Sequence, residues 1–211
     1  MESMDSMDSA FYLSRVLENL QPTHDIIRDY PANGQVLPAY ARYESTSEKY
    51  VLSRKASLWK ATEHEHVLFI TLPEQTSPDE SAASAAVDTC DGSAASAAVD
   101  FPDGLYGFAH HLIADYMEPA LARGGEKYPP VNHMRTFLTV VFLSDGSPSA
   151  DLVRRIRKYR FDRGYKFSFR GYAQGRIVFV DLSAGKVYTS PAAKDIAGFY
   201  DHVLKSQKKG V

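Results

Sequence analysis

The sequence predicts an α/β fold, with α+β as the alternative: a mixed β-sheet with an N-terminal three-stranded antiparallel meander and helices on both faces. Two observations predict it. Helical and strand-like stretches follow one another in the order αβββ, linker, αβαββα. One strand-like run, "MRTFLTVVFLSDG", is apolar on both faces, which suits a central strand of a covered sheet. A hydrophobic content of 44% against 24% charged residues supports a packed core, and 211 residues suit one domain, 1–211.

The first helix is expected from Ser9, as N-cap, to Leu20, with Phe11, Tyr12, Val16 and Leu20 as its core stripe. Pro22, Pro31, Asn33 and Gly34 then read as punctuation. The meander is expected in "QVLPAYARYES", "EKYVLSRKASLWKA" and "EHVLFITL", joined by short polar loops "STS" and "TEHE". In its middle run Tyr50, Leu52, Arg54, Ala56 and Leu58 alternate with the residues of the other face.

Residues 79–90 and 91–102 repeat "SAASAAVD" in twelve-residue units, too few and too poor in apolar mass for a solenoid. Residues 74–102 are therefore expected to be a duplicated, low-complexity insert, either disordered or an Ala-rich helix. A helix capped by Asp103 follows, with Leu105, Phe108, Leu112, Ile113 and Met117 inward, and is expected to kink or end near Pro119. After the central strand, residues 149–160 form the clearest amphipathic helix, with Leu152, Ile156 and Tyr159 on one stripe. Strands are expected at 164–171, in "GRIVFVDL" and in "KVYTS". A last helix starts with Ser190 as cap and Pro191 at its first position, and buries Ile196, Phe199, Tyr200 and Val203.

The net charge of −2 conceals a polarity along the chain. Residues 61–122 hold 11 Asp/Glu and no Lys/Arg, whereas residues 123–211 hold 17 Lys/Arg and 7 Asp/Glu. Within residues 151–176 nine cations face two acids. Arg154, Arg155, Arg157, Lys158, Lys166, Arg170 and Arg176 are the candidate anion-binding residues, on a basic helix face beside a basic strand face. In that strand Tyr165, Phe167 and Phe169 share the other face, either as core or as stacking surfaces. The expected partner is an acidic protein or other polyanion; nucleic acid is an open alternative, as is neutralisation by the chain's own acids.

Familiar chemistries lack their residues. There is one cysteine, Cys90, so no internal disulfide and no Cys cluster for zinc. No GxSxG, Walker or GxGxxG signature occurs. No run approaches the roughly 18 apolar residues of a membrane span, and the acidic N-terminus is unlike a signal peptide, so a cytoplasmic address without membrane contact is expected. In "EHEH", His64 and His66 share a side if extended, but no third ligand stands at a useful spacing, and a solvated hairpin turn is expected. Adjacent His110 and His111 point to different helix faces, one half-buried and one exposed. No metal and no cofactor are expected.

The element order αβββαβ resembles that of the restriction-endonuclease-like superfamily, which implies testing for a metal-dependent nuclease. Its Asp and Glu-x-Lys motif is missing, so an enzyme on this scaffold needs a migrated site, drawing on Lys55, His133, Arg176 and Asp181. The segments "HMRTFLTVVFL", "YKFSFRGY" and "GRIVFVDLSAGKVYTSPAAKDI", with "YARYESTSEKYVLSRKASLW", resemble a family of small bacterial proteins of unknown function. The resemblance rests on the spacing around Phe169, Gly171, Arg176, Asp181 and Gly185, and implies bacterial origin but no activity. A non-catalytic binding or interaction domain is therefore expected.

Overall fold

The computed structural model describes residues 8–50, 57–72, 104–167 and 169–206. The expected insert, the Tyr50–Leu58 alternation, Lys55, Cys90 and the Asp103 cap lie wholly or in part outside these residues.

α1 (Ser9–Leu20) is capped by Asp8, whose side chain accepts from the Ala10 amide; Ser9 is its first residue and not its cap. It buries Tyr12, Leu13, Val16 and Leu17, a stripe shifted from the expected one, and leaves Phe11 exposed. β1 (Asp25–Ala32) and β2 (Gln35–Tyr50) form an antiparallel hairpin. Asn33 and Gly34 make its two-residue turn, with φ of 50° and 78°, the left-handed pair such hairpins require. β3 (Ser57–Leu72) returns antiparallel to β2. Three antiparallel strands are present as expected, but their limits move. "STS" lies inside β2 and "TEHE" inside β3, while the segment read as punctuation holds β1.

α2 (Gly104–His111) widens into a π-helical segment, Leu112–Ala122, which contains Pro119 and ends three residues after it. A proline lacks an amide donor, and the wider turn, with the Arg123 amide on the Glu118 carbonyl, accommodates that loss. β4 (His133–Ser144) is buried on both faces over most of its length and pairs in parallel with β3 and with β6 (Tyr172–Asp181). α3 (Ala150–Lys158) connects them. β5 (Asp162–Gly164) and β7 (Lys186–Thr189) both pair antiparallel to β6, at its start and at its end. A single 3₁₀ turn (Pro191–Ala193) precedes α4 (Ala197–Ser206); the Ser190 hydroxyl accepts from the Ile177 amide of β6 instead of capping a helix.

The result is an α/β protein: one mixed seven-stranded sheet in the order β1-β2-β3-β4-β6-β5, in which β2 alone among the five long strands runs against the others. One core lies between the sheet and α1 and α4, around Tyr12, Phe69, Val141 and Val178. The other lies under α2, its π-helical extension and α3, around Leu68, Ile113, Phe142 and Phe179. No helix among the described residues is long and apolar enough to cross a membrane.

Candidate functional site

Ser149 caps α3, its hydroxyl accepting from the Leu152 amide at 3.2 Å, while Arg155, Arg157 and Lys158 occupy the last turn, where the helix dipole favours positive charge. Ile156 is buried, as is the C-cap Tyr159, and Leu152 is half-buried, so the apolar stripe read from spacing packs on the sheet. The polar face then stands beside β7. A groove of about 540 Å³ runs there, lined by Pro148, Val153, Arg154, Arg157, Lys158 and Tyr188. A second, of about 350 Å³, shares Arg157 and Tyr188 with it and adds Val187, Thr189, Pro191 and Lys194. Arg154 is paired with Asp151 on its own helix, and the Arg155 guanidinium lies 4.5 Å from the Tyr106 ring centre. Among the described residues Arg157, Lys158 and Lys194 make no ion pair, and no acid, histidine or cysteine lines either groove. Such a groove can hold anionic groups against fixed cations and apolar walls.

The expected continuous basic face is divided in two. Of the expected strand 164–171 only Gly164, the last residue of β5, is strand; among the described residues 165–167 and 169–171 belong to a turn, with Lys166 and Phe167 at φ of 47° and 54°. Lys166 and Arg170 sit on that turn, before β6 starts. The groove lies beside β7, which pairs with Val178–Asp181, roughly 20 Å further along at about 3.3 Å per residue. The Arg170 guanidinium is occupied by the Pro129 carbonyl at 3.0 Å. Phe167 and Phe169 are 98% and 87% exposed, so neither is core.

Arg176 belongs to neither surface. It shares a sheet face with Val178 and Val180, on the α1–α4 side, and is only 4% exposed. Its guanidinium donates to Glu65 at 3.3 Å and Asp195 at 3.0 Å, and lies 3.4 Å from the Phe137 ring centre. Arg135 approaches the same ring at 5.1 Å and pairs with Glu63 at 2.7 Å. The ring's electron-rich face takes the place of partners for the buried, unbonded Nε atoms of both arginines. A neutralised buried pair of this kind holds the sheet together and leaves no charge for a ligand.

Lys55 of the migrated enzyme site lies outside the described residues, and His133 and Asp181 are not brought together. His133 opens β4, whereas Asp181 pairs with Ser144 at the far end of that strand. Asp181 is a turn acceptor: burial raises its pKa, but hydrogen bonds from Ser183, the Ala184 amide and Ser147 prevail and hold it below its ordinary value.

The histidines form a feature that spacing did not reveal. His66 is buried in β3, not in a turn, with Nδ1 2.7 Å from the Tyr40 hydroxyl. Tyr40 stacks on Tyr30, and on the other side His66, His64 and His133 follow ring over ring at 6.3 and 6.1 Å across β3 and β4. Burial lowers the pKa of all three imidazoles, that of His66 to about 4. Among the described residues no cluster of three or more His, Cys, Asp or Glu is arranged to hold a metal ion. His110 is exposed and His111, bonded to Asp115, half-buried, as expected.

A family model described as a domain of unknown function, DUF8052, matches residues 8–202. The chain belongs to the DUF8052 family. No curated protein and no solved structure matches it. The DUF8052 match covers every element from α1 into α4, hence both faces of the sheet and the whole α3–β7 groove.

Proposed function

We propose that this DUF8052 domain is a non-catalytic binding domain whose α3–β7 groove takes an acidic segment of a protein partner. One observation carries the proposal: Arg157, Lys158 and Lys194 line two adjoining grooves that share Arg157 and Tyr188, and among the described residues no acid lines either. Tyr188, Val153, Val187 and Pro191 supply apolar wall between these cations, which suits a polypeptide carrying carboxylates among apolar side chains better than a bare polyanion. The edge strand β7 and the helix α3 are rigid elements, so little order has to be gained on binding.

The test is fluorescence anisotropy with a labelled peptide of alternating Glu and Leu, beside duplex DNA at the same ionic strength. The triple variant R157E/K158E/K194E is expected to weaken peptide binding at least tenfold, since opposed charges give way to like ones, and the wild-type affinity is expected to fall with salt. Unchanged affinity in the variant overturns the proposal. Tighter binding of the duplex than of the peptide replaces it with a nucleic-acid function.

A further inference from the structure

The turn at residues 165–171 presents two phenylalanines to solvent from a backbone that is held in place. The Arg170 amide donates to the Tyr165 carbonyl at 3.1 Å, the Tyr165 amide to Gly171 at 3.0 Å, and the Phe169 amide to Lys166 at 3.1 Å. His133 Nδ1 meets the Arg170 carbonyl at 2.9 Å, and the Tyr165 hydroxyl donates to the fully buried Glu118 at 2.8 Å. Lys166 and Phe167 both occupy the left-handed region, which L side chains with a Cβ rarely adopt and which persists where surrounding structure imposes it. Phe167 and Phe169 therefore stand outward by construction.

They are not alone. Gly171 lies against the backbone of Met134, which is itself exposed, and Val131, also exposed, stands two residues after Pro129, whose carbonyl accepts from Arg170. Around this apolar tip Lys166 and Lys127 flank Tyr128, at 4.8 and 5.5 Å from its ring centre, and Arg163 extends from β5 to Glu118.

We propose that this tip is a peripheral membrane-docking site: Phe167 and Phe169 enter the interface of an anionic bilayer while Lys127 and Lys166 meet its headgroups. Three features favour a bilayer over other occupants. Val131 and Met134 have no π-face on which a nucleic-acid base could stack. The phenylalanines project separately instead of forming a flat patch, and a bilayer needs no matching shape. The cations complement anionic lipid, each adding to attraction at close range. The expectation of no membrane contact rested on the lack of a spanning segment, and peripheral docking needs none.

The test is co-sedimentation of the full chain with vesicles of equal parts phosphatidylserine and phosphatidylcholine. Binding is expected at low salt and is expected to fall at least tenfold in F167S/F169S, because two aromatic side chains no longer leave water. K127E/K166E is expected to bind as weakly, whereas R157E/K158E retains wild-type binding, which separates this site from the acidic-partner groove. F167W is expected to be quenched by brominated lipid beyond the wild type. These exposed side chains carry no core packing, and thermal melting checks that each variant folds. The proposal is overturned if F167S/F169S sediments like the wild type, if R157E/K158E abolishes vesicle binding, or if the chain ignores vesicles but binds oligothymidylate through Phe167 and Phe169.

Discussion

Gly171→Ala is the substitution that most directly tests how the turn is joined to the sheet. Gly171 has φ +71°, and a Cβ placed on it meets the Met134 carbonyl oxygen at 2.1 Å, its carbon at 2.5 Å and His133 Nδ1 at 2.9 Å. The first two atoms are backbone of β4, so no rotamer change relieves them. The left-handed conformation costs a residue with a Cβ about 1–2 kcal/mol, and forcing β4 and β6 apart adds about 1–3 kcal/mol on the scale of overpacking. A loss of about 3 kcal/mol is expected, which at a urea dependence of roughly 2 kcal/mol/M lowers the unfolding midpoint by about 1.5 M. Gly198→Ala is the matched control: it lies in α4, and nothing stands within 4 Å of the added Cβ, so helix propensity makes it stabilising by about 0.5–1 kcal/mol. If urea titration finds G171A within about 0.5 kcal/mol of the wild type, in the range of an unremarkable surface change, the close approach of the two strands here is refuted.

Lys166→Gly is expected to stabilise the fold by about 0.5–1 kcal/mol, since glycine adopts φ +47° without strain; a lower urea midpoint in the variant contradicts the strained turn. Glu118 is fully buried and pairs with Arg123 at 2.9 Å, with Arg163 at 3.3 Å and with the Tyr165 hydroxyl, so Glu118→Gln is expected to cost about 3 kcal/mol in thermal or urea unfolding, and a neutral effect contradicts the network. Burial, then His64 and Arg42, lower the His66 pKa from 6.5 to about 4, so between these values the unfolded chain binds more protons than the folded one. The contribution of about 3 kcal/mol, fully present above pH 6.5, is therefore lost as the pH falls toward about 4. His66→Gln is expected to flatten the stability profile in that window, and an equally steep profile in the variant refutes the assignment.

Long periodic segments were legible because burial follows spacing directly. α3 and β4 stand where their patterns place them, since one packs a single stripe and the other both faces. β1 was missed because its sequence, "DIIRDYPA", makes a largely exposed edge strand in which Asp29 takes φ +50° and Pro31 cannot donate. The stronger signal was Asn33-Gly34, which marks a hairpin when strands flank it. "EHEH" looks like a solvated turn because its burial is tertiary: His66 is covered through Tyr40, a neighbour brought by β2, not by local sequence. Lys194 escaped notice for the same reason, as it reaches the groove only once the chain after β7 passes alongside α3. Residues 165–171 alternate like a strand, and nothing in Lys166 or Phe167 announces a left-handed backbone. Arg176, by contrast, could have been placed from alternation: it shares a face with Val178 and Val180 in a run whose other face is also apolar, which implies a buried, paired cation.

The charge polarity of the sequence acquires a structural meaning from these pairs. Glu63, Glu65 and Glu118 come from the middle segment, which has acids and no Lys or Arg, and their partners Arg135, Arg176, Arg123 and Arg163 all come from the basic last part of the chain. Part of the imbalance thus serves to tie β3 to β4 and β6, and the π-helical segment to β5, through pairs in which desolvation makes the missing partner costly. Those acids face inward, and none of them reaches α3 or the tip of the 165–171 turn. Opposite charge within the chain is used where the sheet and its helices must be joined. Among the described residues this leaves Arg157, Lys158 and Lys194 of the α3–β7 grooves without an ion pair, while Lys127 and Lys166 lie over the Tyr128 ring. Exposed charge contributes little to stability, so folding alone gives little reason for these cations to cluster as they do. The recognition proposed above would: long-range attraction would set the rate and choice of encounter, and the apolar residues beside each set, Tyr188 in the groove and Phe167 and Phe169 on the turn, would supply the short-range contact that follows.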